Sequence, residues 1–327
     1  LIQTSAATSE IEVESRDLLK NNKLNAKGPN SPFMGTIDNT YRCETCFNTK
    51  HQCMGHEGVI NNPYPVNIPV AANDFKRWIK VICLNCGNTL LPDTFFDAIP
   101  LRDRMARALK QVKAKSVATK YCAHCGEVYP KIERDAKNPA ILKVVRDRDT
   151  YLLLPGIIEQ IFARVSNATV LKLGRPITSK PSNFITRRII VAPPHTRTEV
   201  IKLGSNTKST TDEHTSMYQL LIDKRPDLFI AGTEVNEIKQ TKLMAYDNIY
   251  ANLIKGKENS SIAARFTGKP GLFRQNMMGK RIRGCCRSVI SNTIEVRIDQ
   301  LGVPISFAKT IQMCDIVQEY NKDILMK

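Results

Sequence analysis

The sequence predicts an α+β chain of short helices, small β elements and one helical hairpin. Its first half is expected to be tied together by metal rather than by an extensive apolar interior. Three observations carry this expectation. Helical stripes are brief, and the one long β-like run is Phe184 to Ala192. Most cysteines fall as close pairs within the first 125 residues, a spacing that suits metal ligands. Residues 213–256 read as two helices broken at Arg225-Pro226, because proline disfavours helix at the residue before it.

Residues 1–30 are polar and close on Asn21, Asn22, Asn25, Gly28 and Pro29, so one or two helices and a turn are expected there. Gly35 to Pro69 has little periodicity and much Gly, Asn and Pro, which suits a loop held by ligands. Phe75, Trp78, Ile79 and Ile82 fall at helical spacing and predict a helix over Ala72 to Ile82. A second helix is expected after Asp93, with Leu101, Met105, Leu109 and Val112 on one stripe and basic residues opposite. Ile157, Ile158, Ile161, Phe162 and Val165 predict another, and Thr169 to Leu173 a short one stopped by Gly174 and Pro176. Thr196 to Asp212 is polar and reads as a surface loop. Ile294, Val296 and Ile298 alternate with Glu295 and Arg297 as a half-exposed strand. Phe307, Ile311, Cys314 and Val317 are expected to start the last helix.

A length of 327 residues sets an expectation of about two domains. The 48 Lys and Arg against 31 Asp and Glu leave a net charge of +17, an excess that attracts polyanions, nucleic acid first among them. A generally basic surface without a dedicated ligand is the alternative. No apolar run is long enough to span a bilayer, no signal-peptide core is visible, and no basic amphipathic segment carries aromatic residues along one face. The first residue is Leu, so the chain is expected to be part of a longer protein.

The cysteines fall into two constellations. Cys43, Cys46, Cys53 and His56 offer three sulfurs and one nitrogen, the donors zinc takes in a tetrahedron. Gly55 and Gly58 are read as allowing the backbone bends this wrapping needs. His51 competes for the fourth place, but the two-residue spacing of His56 from Cys53 mirrors the first pair. Cys83, Cys86, Cys122 and Cys125 form two CxxCG knuckles, a four-cysteine pattern like a zinc ribbon. His124, inside the second knuckle, is read as facing solvent. Redox CxxC motifs come singly at the start of a helix in a βαβ setting, which neither pair has. With four ligands each, both sites are expected to be structural. Cys285 and Cys286 have no partner pair nearby and are expected to be buried thiols.

Between Arg265 and Arg287 there are seven Lys or Arg and no Asp or Glu. Gly268, Gly271 and Gly279 let the backbone bend close to a ligand, and the cations suit phosphate oxygens, although a solvated basic loop has the same composition. No phosphate-cradling GxxxxGK[ST] is present.

These residues together resemble the largest subunit of cellular-type multisubunit DNA-directed RNA polymerases. Met34-Gly-Thr-Ile-Asp38 followed by Cys43 to Gly58 is similar to that subunit's first zinc motif, and Ile82 to Gly87 with Cys122 and Cys125 to its second. Arg274 to Arg281, Arg287 to Ser291 and Asp299 to Pro304 resemble its switch region. Arg77-Trp78 to Cys83 looks nearer to polymerases of large cytoplasmic DNA viruses than to nuclear ones.

The resemblance implies a zinc-stabilised clamp that closes over DNA, non-catalytic by itself within a nucleotidyltransferase. Residues 1–150 would be the clamp head and core with two structural Zn. Residues 151–265 would carry the rest of the core, with the lid (Pro193 to Lys208), the clamp helices (213–250) and the rudder (Asn252 to Arg265). Residues 266–327 would be the switch region and the start of the domain next to the active site. Arg265, Lys269, Arg274, Lys280, Arg281 and Arg287 would hold nucleic-acid phosphates. Leu272 stands where the family has a basic residue, and Gln275 where it has Gly. The family's magnesium-binding NADFDGD loop does not occur in the sequence, so the enzyme's Mg would bind outside it. Implied partners are template DNA, the DNA–RNA hybrid, the second-largest and smaller polymerase subunits, and initiation and elongation factors at the clamp helices. The implied compartment is host cytoplasm and virion for a viral protein, or the nucleus for a cellular one. A stand-alone zinc-ribbon transcription factor is the alternative, and a thiol redox enzyme a third reading.

Overall fold

The computed structural model describes residues 9–39, 41–113, 121–134, 142–146, 149–197, 211–229, 237–256, 261–280, 282, 284–312 and 315–326. The chain divides into two compact units, Leu1–Arg265 and Phe266–Lys327. Position 150, where the sequence analysis places a division, lies inside the first unit.

In the first unit β1 (Ile11–Glu12) is followed by a hairpin of β2 (Leu19–Lys20) and β3 (Lys23–Leu24), not by helices. Asn21 and Asn22, both at positive φ, make the two-residue turn, a conformation asparagine tolerates better than most residues. β4 (Gly58–Asn67) is a ten-residue strand where a loop was expected. It lies at the centre of a sheet in the order β1-β4-β8, parallel to β1 and antiparallel to β8. The ladder shifts register between Asn61 and Val66. Pro63 and Pro65, which read as loop residues, sit in that interruption, where their missing N–H costs no ladder bond.

α1 (Ala72–Val81) follows its predicted stripe and buries Phe75, Trp78 and Ile79. The stretch after Asp93 splits into α2 (Thr94–Asp97), a 3-10 turn and α3 (Arg104–Lys113). Met105 and Ala108 are buried in α3, whereas Leu101 falls in the 3-10 turn and is exposed. β5 (Lys131–Arg134), β6 (Leu142–Arg146) and β7 (Asp149–Leu152) form an antiparallel meander. α4 (Pro155–Ala163), α5 (Asn167–Lys172) and β8 (Ile185–Val191) match their predicted runs.

α6 (Glu213–Phe229) continues through Pro226 instead of breaking there, and α7 (Glu237–Lys255) follows. Proline removes one helical hydrogen bond. Tyr218, Leu221 and Ile222, buried one and two turns earlier, anchor the helix that carries it. Residues 230–236, between the two helices, lie outside the described residues.

The apolar interior is larger than the sequence suggested. One core packs Phe75, Trp78, Ile79, Phe96, Met105, Val144, Ile158, Phe162 and Ile185. A second packs Ile60, Val66, Ile189 and Val191 of the sheet against Tyr218, Leu221, Tyr246, Tyr250 and Leu253 of the helical pair. The first unit therefore has a core in the ordinary sense, and any metal sites sit beside it. Both cores draw on residues from before and after position 150, which is why no boundary falls there.

In the second unit, whose first residue, Phe266, ends the short helix α8 (Ile262–Phe266), α9 (Ile305–Thr310) and α10 (Lys322–Leu325) are the α-helices among the described residues. Ile294, Val296 and Ile298 form no strand, and Ile294 and Ile298 are fully exposed, since no partner strand is present among the described residues. α9 ends at Thr310, short of Ile311 and Val317, and Cys314 lies outside the described residues. No helix among the described residues is long and apolar enough to cross a membrane.

Candidate metal centres and nucleic-acid interface

Three of the cysteine motifs fold into the same knuckle. The Cys43, Cys83 and Cys122 amides donate to the carbonyls of Asn48, Asn88 and Glu127 at 3.1, 2.8 and 2.8 Å. In return the amides of Phe47, Gly87 and Gly126 donate to the three cysteine carbonyls at 2.8, 3.0 and 2.9 Å. This wrap needs a left-handed residue after the second cysteine, and Gly87 and Gly126 supply it at φ 73° and 69°. At the first knuckle Phe47 takes φ 58° instead. Gly55 has φ 83°, but Gly58 makes no bend. It starts β4, and a Cβ there would meet Met34 Sδ at 2.8 Å.

The two expected ligand groups assemble. One ligand atom from each of Cys43, Cys46, Cys53 and His56 lies within 4.8 Å of the others, and the same holds for Cys83, Cys86, Cys122 and Cys125. In the second group Cys83 Sγ is 3.6 Å from Cys125 Sγ and Cys86 Sγ is 3.7 Å from Cys122 Sγ. Four thiolates on one tetrahedral zinc would be about 3.8 Å apart, given Zn–S bonds of about 2.3 Å. The donor sets and spacing therefore fit a metal ion. His51 is exposed and outside the first group. His124 is exposed and outside the second group, as expected, with its Nε2 3.4 Å from Thr89 Oγ1 and 3.5 Å from Asp93 Oδ1.

Both groups rest on the unit's body. The His56 amide donates to Met34 O at 2.9 Å, and Met34 is fully buried in the sheet core. Arg164, at the end of α4, donates to Asn85 O at 2.8 Å inside the second site, and Tyr129 donates its hydroxyl to Ile79 O at 2.9 Å. Burial pushes the Cys83 thiol up to about 12 and Cys53 up to about 11. Cys86 is also raised by burial, while the Glu127 backbone N–H lowers Cys125. A hydrogen bond with His56 brings Cys46 down to about 6.

Sequence reasoning missed the Pro193–Arg197 turn beside the first group. Arg197 is fully buried and donates from Nε and Nη2 to Ala192 O, from Nη2 to Pro29 O, and from Nη1 to Asn30 Oδ1 and Thr215 Oγ1. Its guanidinium also lies 5.3 Å from the centre of the Tyr218 ring. Nothing in the local pattern marks an arginine as buried; the Pro193-Pro194 pair shows only that the turn is rigid. In the same turn, burial lowers the pKa of His195.

The predicted phosphate contacts do not share one environment. In the second unit Lys269, Arg274, Lys280 and Arg287 are exposed, and Arg281 lies outside the described residues. Phe273–Met278 forms a π-helical turn rather than a loop, closed by the Gly279 amide on Arg274 O at 3.2 Å. Phe266 and Phe273 brace it with ring centroids 5.8 Å apart. Arg265, last residue of the first unit, donates from Nη2 to both oxygens of Asp212 and from Nη1 to Thr196 O. Cys285 and Cys286 are exposed, not buried, in a stretch without regular structure. Of the lid region, 198–208 lies outside the described residues, as do residues 257–260 of the rudder region.

Two cysteine-rich groups that could hold metal sit on an α+β body, and comparison with known families gives the class of protein. Residues 3–277 match the family described as RNA polymerase Rpb1, domain 1, and residues 279–327 match RNA polymerase Rpb1, domain 2. The chain thus belongs to the Rpb1 family, as the N-terminal region of a DNA-directed RNA polymerase largest subunit. It is 30% identical to the DNA-directed RNA polymerase RPB1 homolog of African swine fever virus (strain Badajoz 1971 Vero-adapted), over 90% of this chain and 22% of the relative. It is 28% identical to DNA-directed RNA polymerase subunit Rpo1N of Methanothermobacter thermautotrophicus (strain Delta H), over 89% of this chain and 35% of the relative. Identity to DNA-directed RNA polymerase II subunit RPB1 of Euplotoides octocarinatus is also 28%, over 98% of this chain and 74% of that protein. The chain therefore spans about a fifth of the length of its viral relatives.

Proposed function

We propose that the chain is the clamp part of a DNA-directed RNA polymerase largest subunit, holding template DNA and the DNA–RNA hybrid during transcription. It contributes to a nucleotidyltransferase whose Mg-binding loop lies outside it. Two structural Zn, one in each cysteine group, would fix the knuckles without taking part in the reaction. The carrying observation is the exposed row Lys269, Arg274 and Lys280 on and around a braced π-helical turn, with no acidic residue between Arg265 and Arg287. Exposed cations on and around a short helical element suit a sequence-independent grip on phosphates. Arg265 acts differently in this reading: tied to Asp212, it shapes the end of the first unit.

The second-largest and smaller polymerase subunits are the proposed neighbours, and initiation and elongation factors are assigned to the α6 and α7 pair. The likeness to a viral polymerase supports host cytoplasm and virion as the compartment; a cellular origin would place the chain in the nucleus. The test is nucleic-acid affinity of the assembled enzyme. Replacing Arg274 and Lys280 together by Ala should weaken binding to hybrids of unrelated sequence alike. Unchanged affinity would refute the assignment.

A further inference from the structure

Among the described residues, three buried ring nitrogens around the first cysteine group, His56 Nε2 and both nitrogens of His195, make no hydrogen bond of good geometry, although the Lys50 backbone lies close enough to His195 to act on its ring. His56 is one of the four candidate ligands, so one idle ring nitrogen there is ordinary. His195 belongs to neither ligand group, yet its side chain stands against the first one. A Cβ placed on Gly35 would be 2.5 Å from His195 Cε1, 2.9 Å from its Nδ1 and 3.5 Å from Cys53 Sγ. The imidazole edge and the sulfur thus border the same small space, which the absent side chain of residue 35 leaves open. Gly55 closes in from elsewhere: a Cβ there would be 3.4 Å from Nδ1 and 2.7 Å from Pro193 Cβ. Two glycines are therefore what lets this histidine reach the cluster.

The chemistry of the cluster says what the imidazole can do. Three thiolates and one imidazole on a divalent ion leave surplus negative charge on the sulfurs, and N–H donors relieve it. Cys53 already lies 3.4 Å from the Gly55 N–H as its acceptor. A neutral imidazole carries one N–H. His195 is carried by the turn that Arg197 pins to Pro29, Asn30 and Thr215, so its backbone is fixed independently of the cluster. We infer that His195 supplies a second donor to the Cys53 thiolate when metal is bound, a positioning residue that fastens the metal centre to the Pro193–Arg197 turn.

This inference rests on the metal reading of the first group, and one experiment separates the two. The chain is loaded with cadmium-113 and its metal resonances are recorded; zinc release to a chromogenic chelator is timed on the zinc form. His195→Ala should move the resonance of the three-sulfur, one-nitrogen site and leave the four-sulfur resonance in place. Zinc loss from that site should quicken by about 10- to 100-fold, the usual cost of losing such a support. His195→Gln, which keeps an N–H donor, should recover most of the difference. His195→Phe keeps the bulk without the donor and carries the test if the alanine variant does not fold. An unmoved resonance and unchanged release in the variant would overturn the role of His195. Absence of the three-sulfur, one-nitrogen resonance from the parent chain would instead overturn the metal reading.

Discussion

Arg265 holds both carboxylate oxygens of Asp212 at 3.0 Å through a single guanidinium nitrogen. An arginine so placed, with its other terminal nitrogen on Thr196 O, is committed to its own unit. Arg265→Ala should therefore lower stability by about 1 kcal/mol, the range for a partly exposed pair. It should leave the slope of log affinity against log salt unchanged. A denaturant midpoint and a salt titration on the assembled enzyme measure the two effects.

The exposed cations should behave in the opposite way. Arg274→Ala and Lys280→Ala should each reduce the salt slope by about 0.7 to 0.9, the value of one lost phosphate contact, with little change in stability. Equal losses on unrelated sequences are expected, because a phosphate grip carries no base readout. A sequence-selective loss would favour the stand-alone transcription-factor alternative.

Arg197 is the buried counterpart. Arg197→Met strips hydrogen bonds from Thr215, Asn30 and the carbonyls of Pro29 and Ala192 inside a closed turn. A cost of about 3 kcal/mol or more is expected, since each stranded polar group carries its own desolvation penalty. Arg197→Lys should recover only part of it, because an ammonium cannot reproduce the fork. Urea denaturation of the three forms provides the comparison.

Phe47 is the knuckle residue that glycine would serve better. It repeats the left-handed conformation of Gly87 and Gly126 with an exposed side chain. Phe47→Gly should raise stability by about 1 kcal/mol by relieving that conformation. Thermal unfolding with metal bound is the measurement.

Asp247 sets a pH dependence. Burial raises its carboxyl to about 7, against the lowering effect of hydrogen bonds from Asn67. The unfolded carboxyl titrates near about 3.9, so the folded chain binds this proton more tightly. Its contribution is fully present below about 3.9 and is lost as pH rises through about 7. Asp247→Asn should thus stabilise the chain at pH 8 and change little at pH 4, read from denaturant midpoints at the two values.

Much of the site was legible because ligand spacing is a local property. Cys43 to His56 and Cys83 to Cys125 come together as their spacing implies, since a knuckle is closed by hydrogen bonds within six residues. Helices with a clear apolar stripe, such as Ala72–Val81, were legible for the same reason. What failed depended on distant partners. β4 reads as a loop until Ile185–Val191 lies beside it, and Ile294 to Ile298 reads as a strand although no partner strand is present among the described residues. Pro226 signals a break, yet packing of Tyr218 and Leu221 keeps the helix whole. Nothing in the sequence marks the partners of Arg265 and Arg197, because Asp212 and Thr215 are 53 and 18 residues away along the chain.

The most direct measurement is metal content by mass, followed by hydrogen exchange before and after chelation. Two zinc ions per chain are predicted. Stripping them should remove amide protection at Cys43 to His56, Cys83 to Leu90 and Cys122 to Val128, while the paired residues of β4 and β8 keep theirs. A count other than two, or knuckle amides equally protected once the metal has gone, would contradict the assignment.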